Sequence, residues 1–241
     1  MKVKNIFILE AMSLTLASRS DLFGPAEENN RGLDERYNEP TYAQGLLGYG
    51  YAMLPYNTKS VTDVATDDAV SNDLTNGFLK MATGSWTANN DPMSKWTNGR
   101  ACIQYLNIFL QEVDKVNWAK DENARKMYCD SRKGEAYALR ALNLYYLLMN
   151  HGGWTADGKL LGVPNLTEPE TSTDDFNKPR NTFQECLDQI YSDLDEAAKL
   201  LPLDYNDLTD DNDVPAKYKE IGVKTAGDYN RVFGTIMRGR I

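Results

Sequence analysis

The chain has one histidine, His151, in 241 residues. A Ser-His-Asp or Cys-His arrangement would have to be built on it, because these sites use an imidazole to carry the proton. His151 ends an apolar stretch and precedes Gly152-Gly153, a position where a histidine faces the negative end of a helix dipole. A structural role is therefore expected. No HExxH, P-loop or GxGxxG pattern occurs, which removes the usual signatures of zinc peptidases, nucleotide hydrolases and dinucleotide enzymes.

Cysteine is also scarce. Cys102, Cys129 and Cys186 are odd in number and lack CxxC spacing, so neither a disulfide framework nor a zinc site is expected. Each falls in a helical pattern, where a free thiol acts as a small hydrophobe. No stripe of Lys and Arg is present, and the formal charge is -9. Nucleic acid is excluded as a partner, since phosphate binding needs clustered cations.

Carboxylates are plentiful, and a glycosidase needs only two, but 35 acidic residues single out no pair. The run Asp204, Asp207, Asp210, Asp211, Asp213 lacks the glycine and the closing glutamate of an EF-hand. It reads as a solvated loop. No metal, cofactor or catalytic residue is expected.

What the chain does have is aromatic residues, with fourteen Tyr and four Trp. Their commoner use is to fill helix seams with the polar tip reaching water. A few exposed rings would instead suit the apolar faces of sugars, as concave ligand sites often have aromatic walls.

Lys2 and Lys4 precede an apolar run from Ile6 to Ala17, the layout of a secretory signal peptide over residues 1–19. The run falls short of the roughly 20 apolar residues of a membrane span. Leu16-Ala17-Ser18 followed by Arg19 resembles a bacterial lipobox with Arg19 in the place of the lipid-bearing cysteine, so no thioether lipid forms here. Residues 20–40 are polar and read as an extended tether.

From Tyr42 to Tyr56 apolar residues at helical spacing are broken by three glycines, which close backbone packing would explain. Residues 57–92 keep no sustained period, and a loop of that length is usually functional. It carries Asp67, Asp68, Trp86 and Asn89, the candidate ligand contacts, because carboxylates and amides partner sugar hydroxyls well.

Helices are predicted from Trp96 to about Val116 and from Lys120 to Asn150, the latter spanning about 45 Å if continuous. Leu139 to Met149 is apolar nearly all round and should be buried by other helices. Within it Arg140 and nearby Glu135 call for ion pairs with a neighbouring helix. A Gly/Pro/Thr/Asp-rich loop runs from Gly152 to Pro179. Thr182 and Glu185 then form a capping box, opening an amphipathic helix that Pro202 ends. From Tyr229 to Ile241 the glycines leave a helix uncertain. No strand signal competes, so the expected class is all-α, with tetratricopeptide-like helical pairs and long irregular loops.

Several stretches together resemble the SusD/RagB family of outer-membrane nutrient-binding lipoproteins. They are Leu16-Ala17-Ser18 with Asp21-Leu22-Phe23; Trp96 to Asn107 with Cys102-Ile103; Gly134-Glu135-Ala136 to Leu139-Arg140-Ala141; His151-Gly152-Gly153 before Gly162-Val163-Pro164; Arg180; and Asp193-Leu194 to Leu200-Leu201-Pro202. Asn230 to Gly234 and Gly239-Arg240-Ile241 are similar to the family segment before a further helical repeat.

The resemblance implies the N-terminal part of a longer helical domain, residues 41–241, incomplete at its C-terminus, with packing partners of the 139–149 helix partly missing and apolar surface left exposed there. It also implies a surface lipoprotein that captures oligosaccharide or polysaccharide without turnover. The ligand would pass to a SusC-like TonB-dependent transporter. The family's lipid anchor would attach such a protein to the membrane, but Arg19 cannot carry it. Alternatives are a helical-repeat scaffold that binds protein, a peptide-binding member of the same family, and a secreted glycosidase.

Overall fold

The computed structural model describes residues 39–54, 62–87, 89–201 and 208–231. The expected signal peptide, lipobox-like stretch and most of the tether lie outside these residues, as do Tyr56, Pro202, Asp204, Asp207 and residues 232–241. All described residues fall within the compact unit Tyr37–Ile241.

Helix α1, Pro40–Ala52, starts two residues before the expected Tyr42, with proline in its first turn. There the fixed φ of proline suits a helix and its missing N–H costs nothing. One of its three glycines makes the close contact expected of them. A Cβ on Gly50 would come within 2.9 Å of Leu106, whereas Gly45 and Gly48 face open space.

The segment expected to lack elements contains a 3-10 turn, Thr62–Ala65, and the single-turn helix α2, Leu79–Ala82. Both are too short to leave a periodic signal. Helix α3, Trp96–Glu112, continues into a 3-10 turn, Val113–Lys115. Helix α4, Glu122–His151, is one unbroken rod of 30 residues, started by Asp121, whose side chain accepts from the Ala124 N–H. The ribbon β1, Gly153–Trp154, with β2, Leu160–Leu161, is an antiparallel pair that no sequence signal announced.

Helix α5, Phe183–Leu200, begins at the predicted capping box, with both reciprocal bonds between Thr182 and Glu185 formed. Asp210 caps a 3-10 turn, Asp211–Asp213, and α6, Ala216–Glu220, follows. Residues 226–231 are helical. The class is all-α, as expected, with the small ribbon as its only sheet among the described residues.

Three apolar clusters hold the helices together. Leu47 of α1 packs with Leu106, Phe109 and Leu139. Ile103, Leu144, Leu147, Leu148 and Ile190 form a second cluster across α3, α4 and α5. Met127 joins Tyr218 and Tyr229 in the third.

Helices α4 and α5 run antiparallel. The end of α5 meets α4 well inside that helix, since a Cβ on Gly134 would sit 2.7 Å from Leu201, and the start of α5 meets the end of α4 through Gly152 and Phe183. Gly152 stops α4 with an extended φ of -75°, not through a left-handed cap. A side chain there would collide with the Leu148 carbonyl at 2.6 Å.

The expected burial of Leu139 to Met149 by other helices holds on one side of the helix only. Leu139, Leu144, Leu147 and Leu148 are buried, but Leu142, Tyr145 and Met149 are exposed. With Tyr191 and Leu194 of α5 they leave an apolar face uncovered among the described residues. The ion pairs also differ in part from expectation. Arg140 does pair with Asp193 on α5, whereas Glu135 pairs with Arg132 of its own helix at 2.9 Å and accepts from the Tyr51 hydroxyl of α1. All three cysteines are free. Cys102 and Cys186 are buried as expected, and Cys129 is only half-buried.

Candidate functional site

The four sequence-predicted contacts lie between α1 and α3, on two separate turns. At the first, Thr66 Oγ1 donates to the Asp63 carbonyl at 2.7 Å and accepts from the Asp68 N–H at 3.2 Å. This leaves Asp67 and Asp68 exposed at the bend. The second turn is Thr87 to Asn90, closed by the Asn90 N–H donating to the Thr87 carbonyl at 2.9 Å. Asn89 occupies its third position, and Trp86 stands directly before it with 51% of its surface exposed. Lys80 of α2 donates to Asn90 Oδ1 at 2.9 Å, fixing the turn to the short helix.

Trp86 and Asn89 are thus brought together by one turn. No hydrogen bond among the described residues links them to Asp67 or Asp68. Between the turns, Thr75 donates twice to Asp73, from its hydroxyl and its N–H, which lowers the carboxyl below its ordinary range. Outside its two short helical turns the loop has its own wiring, and such segments can hold a side chain in place for a ligand. A half-exposed indole next to an exposed amide offers an apolar face and a hydrogen-bonding edge, the combination a sugar ring needs.

The same connection ends at a pocket that the sequence reading missed. Its volume is about 260 Å³, and Met53, Ser94, Lys95, Asn98, Asn143 and Tyr146 are among its lining residues. The end of α1, the first turn of α3 and the last third of α4 form its walls. The one trace of it in the sequence was Asn143, a polar residue inside the apolar run of α4.

Next to the pocket, the Lys95 N–H donates to His151 Nε2 at 3.2 Å, and the His151 and Trp96 rings meet edge to face at 5.3 Å. Burial holds His151 below the usual imidazole range, with Asp91 opposing the shift and Arg180 adding to it. The ring is a neutral acceptor that ties α3 to the end of α4. It sits at the helix terminus as expected, but not as a cation facing the dipole.

The remaining motif residues turn out to be clamps. Asn107 Nδ2 donates to the carbonyls of Leu166 and Glu168 at 3.1 and 3.0 Å, while its Oδ1 accepts from Arg140 at 2.9 Å. Arg180 donates to the carbonyls of Gly162, His151 and Leu161 at 2.7, 2.9 and 3.1 Å. Side chains therefore satisfy the backbone of the long irregular connection after α4, which is how a chain without regular structure can lie against a core. These residues are committed to the fold.

A family model described as SusD-like, starch-binding and associating with the outer membrane matches residues 41–216. The chain belongs to the SusD-like family. SusD-like protein P38 of Formosa agariphila is 36% identical over 103 residues, 42% of this chain and 19% of that protein.

Solved structures share the SusD-like fold. A SusD-like protein from Bacteroides fragilis aligns with a TM-score of 0.58 at 19% identity, covering 76% of this chain and 33% of its own. A putative sugar-binding protein from Bacteroides vulgatus aligns with a TM-score of 0.54 at 29% identity, over 70% and 38% of the two chains. A laminarin-binding SusD-like protein gives 0.51 at 23% identity, over 69% and 35%. The chain spans about a third of the length of these solved relatives and a fifth of the curated one.

Proposed function

We propose that this protein is a non-catalytic glycan-binding component of an outer-membrane uptake system. Trp86 and Asn89 contact the sugar directly, and Asp67 and Asp68 extend the polar edge of the site. The carrying observation is the Thr87–Asn90 turn, which carries the exposed Asn89 and directly follows the half-exposed indole of Trp86, on a chain of the SusD-like family. Captured oligosaccharide passes to a SusC-like TonB-dependent transporter, and the protein acts at the cell surface. No acid, base or nucleophile is required for that role, in keeping with the clamping tasks of Arg140, Asn107 and His151.

Affinity electrophoresis in gels containing starch or laminarin tests the reading. The full chain should be retarded relative to a gel without polysaccharide, and Trp86→Ala should lose roughly ten-fold in affinity, on the order of one good aromatic stack. Equal migration in all gels would refute glycan binding. Retardation unchanged by Trp86→Ala would remove this turn from the site.

A second reading, a protein-binding helical scaffold, draws on the uncovered face of α4 and α5. It predicts protein capture with no response of tryptophan fluorescence to oligosaccharides.

A further inference from the structure

Asparagine followed by glycine readily loses its side-chain ammonia, because glycine has no Cβ to keep its backbone nitrogen away from the asparagine Cγ. The chain has two such pairs, Asn76-Gly77 and Asn98-Gly99, and the fold treats them differently. Asn98 and Gly99 lie in the first turn of α3, where the Gly99 N–H donates to the Lys95 carbonyl at 2.8 Å. A Cβ on Gly99 would stand 3.0 Å from Leu147, so this backbone is packed as well as bonded. Its nitrogen cannot turn toward Asn98 Cγ unless the helix opens locally.

Asn76-Gly77 stands just before α2, in the connection that carries Trp86 and Asn89. Neither the Gly77 N–H nor Asn76 Nδ2 donates a hydrogen bond among the described residues. Asn76 Oδ1 accepts from the Phe78 N–H at 3.0 Å, which folds the carboxamide over the peptide ahead of it and draws electrons from Cγ. One turn thus holds an electrophile, an unbonded nitrogen nucleophile and a donor for the developing oxyanion. Both residues are only half-buried, so the water that completes the reaction can reach them.

We infer that Asn76-Gly77 is a site of spontaneous self-modification. The Gly77 nitrogen bonds to Asn76 Cγ, the Cγ–Nδ2 bond breaks, and ammonia leaves with the proton from Gly77, giving a succinimide. Water then opens the ring at either carbonyl, to aspartate or to isoaspartate. Both products add a negative charge, and isoaspartate routes the main chain through Cγ, lengthening it by a methylene. The Asn76 carbonyl, which accepts from the Leu79 N–H at 3.2 Å at the start of α2, then leaves the main chain as a carboxylate. Gly77 lies against Pro92, since a Cβ there would stand 3.1 Å from the proline Cβ, so the longer backbone shifts α2. That helix holds the Thr87–Asn90 turn through Lys80, and conversion at Asn76 loosens the support of Trp86. The reaction stands without the glycan-binding reading; its effect on sugar binding rests on it.

The test is to age the full chain at mildly alkaline pH and map it by mass spectrometry with an isoaspartate methylation assay. Asn76 should convert about ten-fold or more faster than Asn98, whose reaction waits on opening of α3. The rate should rise with pH, because Gly77 gives up its N–H proton. Acrylamide quenching of Trp86, read as the difference between the parent and Trp86→Phe, should shift with the converted fraction, and retardation in a laminarin gel should fall with it. Neither should change on ageing of Asn76→Ser, which keeps an oxygen for the Phe78 N–H but has no carboxamide. Equal rates at the two pairs, or an unaltered Asn76, overturn the modification site. Conversion that leaves quenching or retardation unchanged overturns its coupling to the Trp86 turn. Fresh protein that no polysaccharide gel retards overturns the glycan reading, and conversion and quenching still decide the rest.

Discussion

Arg140 of α4 and Asp193 of α5 meet in a two-point ion pair, Nε to Oδ2 at 2.8 Å and Nη2 to Oδ1 at 2.6 Å. The side chains are 8% and 2% exposed, so the charges must be satisfied inside the protein. They are. Arg140 also donates to Asn107 Oδ1 and to the Thr167 carbonyl, and Asp193 accepts from Gln189. Removing one partner leaves a buried charge, and Arg140→Ala should cost about 3–5 kcal/mol. An apolar pair, Arg140→Met with Asp193→Leu, should recover most of that loss. Urea denaturation of the two variants decides the matter, and equal instability would show that the hydrogen bonds to Asn107 and Thr167 matter more than the pairing.

The capping box of α5 is a smaller and more local contribution. Thr182 accepts from the Glu185 N–H at 3.2 Å, and Glu185 accepts from the Thr182 N–H at 2.7 Å. Thr182→Ala should lower stability by about 1 kcal/mol and Thr182→Ser by much less. Thermal unfolding followed by circular dichroism would read the difference.

His151 gives the protein a pH response that can be isolated, because no other side chain titrates near neutrality without a perturbed pKa. Burial lowers its pKa from the usual 6.5. Above that value the imidazole is neutral in both folded and unfolded chains. Below it the unfolded chain takes up a proton that the folded chain resists, so stability falls as pH drops through and below 6.5. Denaturation midpoints between pH 7.5 and 5.5 should decline for the parent and stay flatter for His151→Gln.

The thiols of Cys102 and Cys129 are pushed up to about 12 by burial, with hydrogen bonding to Asp114 adding to the effect at Cys129. The thiolate is the reactive form. A disulfide reagent at pH 8 should therefore react slowly with the folded protein and rapidly in urea. The unfolded thiols ionise from about pH 9 upward while the folded ones do not, so alkaline stability should fall over the same range. Fast reaction of Cys129 in the native state would contradict its assigned environment.

Between α4 and α5 an apolar groove of about 300 Å³ is lined by Leu142, Tyr145, Leu187, Tyr191 and Leu194. An open apolar face of this kind promotes association. Tyr145→Ser combined with Tyr191→Ser should reduce concentration-dependent light scattering while changing stability by no more than roughly 0.5 kcal/mol for each exposed site. Unchanged scattering would place the self-association surface elsewhere.

The long helices were legible because their cause is local. The stripe from Met127 to Leu148, the Thr182–Glu185 box and the glycines after His151 act within a few residues of themselves, and periodicity exposes such causes. The elements that went unseen, α2 and the Gly153–Leu161 ribbon, are too short to carry a period. They are held by contacts from distant residues such as Lys80 to Asn90 and Arg180 to Leu161.

The candidate contacts fared in the same way. A loop rich in Trp, Asn and Asp could be recognised, but not which of its residues share a turn. Asn89 lies in the turn closed by the Asn90–Thr87 hydrogen bond and Trp86 directly precedes it, while Asp67 and Asp68 belong to another turn. The pocket at Lys95 and Asn143 was hidden because these residues are 48 positions apart in sequence and meet only when α3 and α4 pack.

By itself the sequence determined the all-α class, the rods, their caps and the absence of familiar catalytic motifs, since each depends on neighbours along the chain. Only the tertiary structure decided that Asn107, Arg140 and Arg180 clamp the long connection and that one face of α4 stays open. Those outcomes depend on which distant atoms come to lie within about 3 Å of one another, a distance at which hydrogen bonds are made or left unmade.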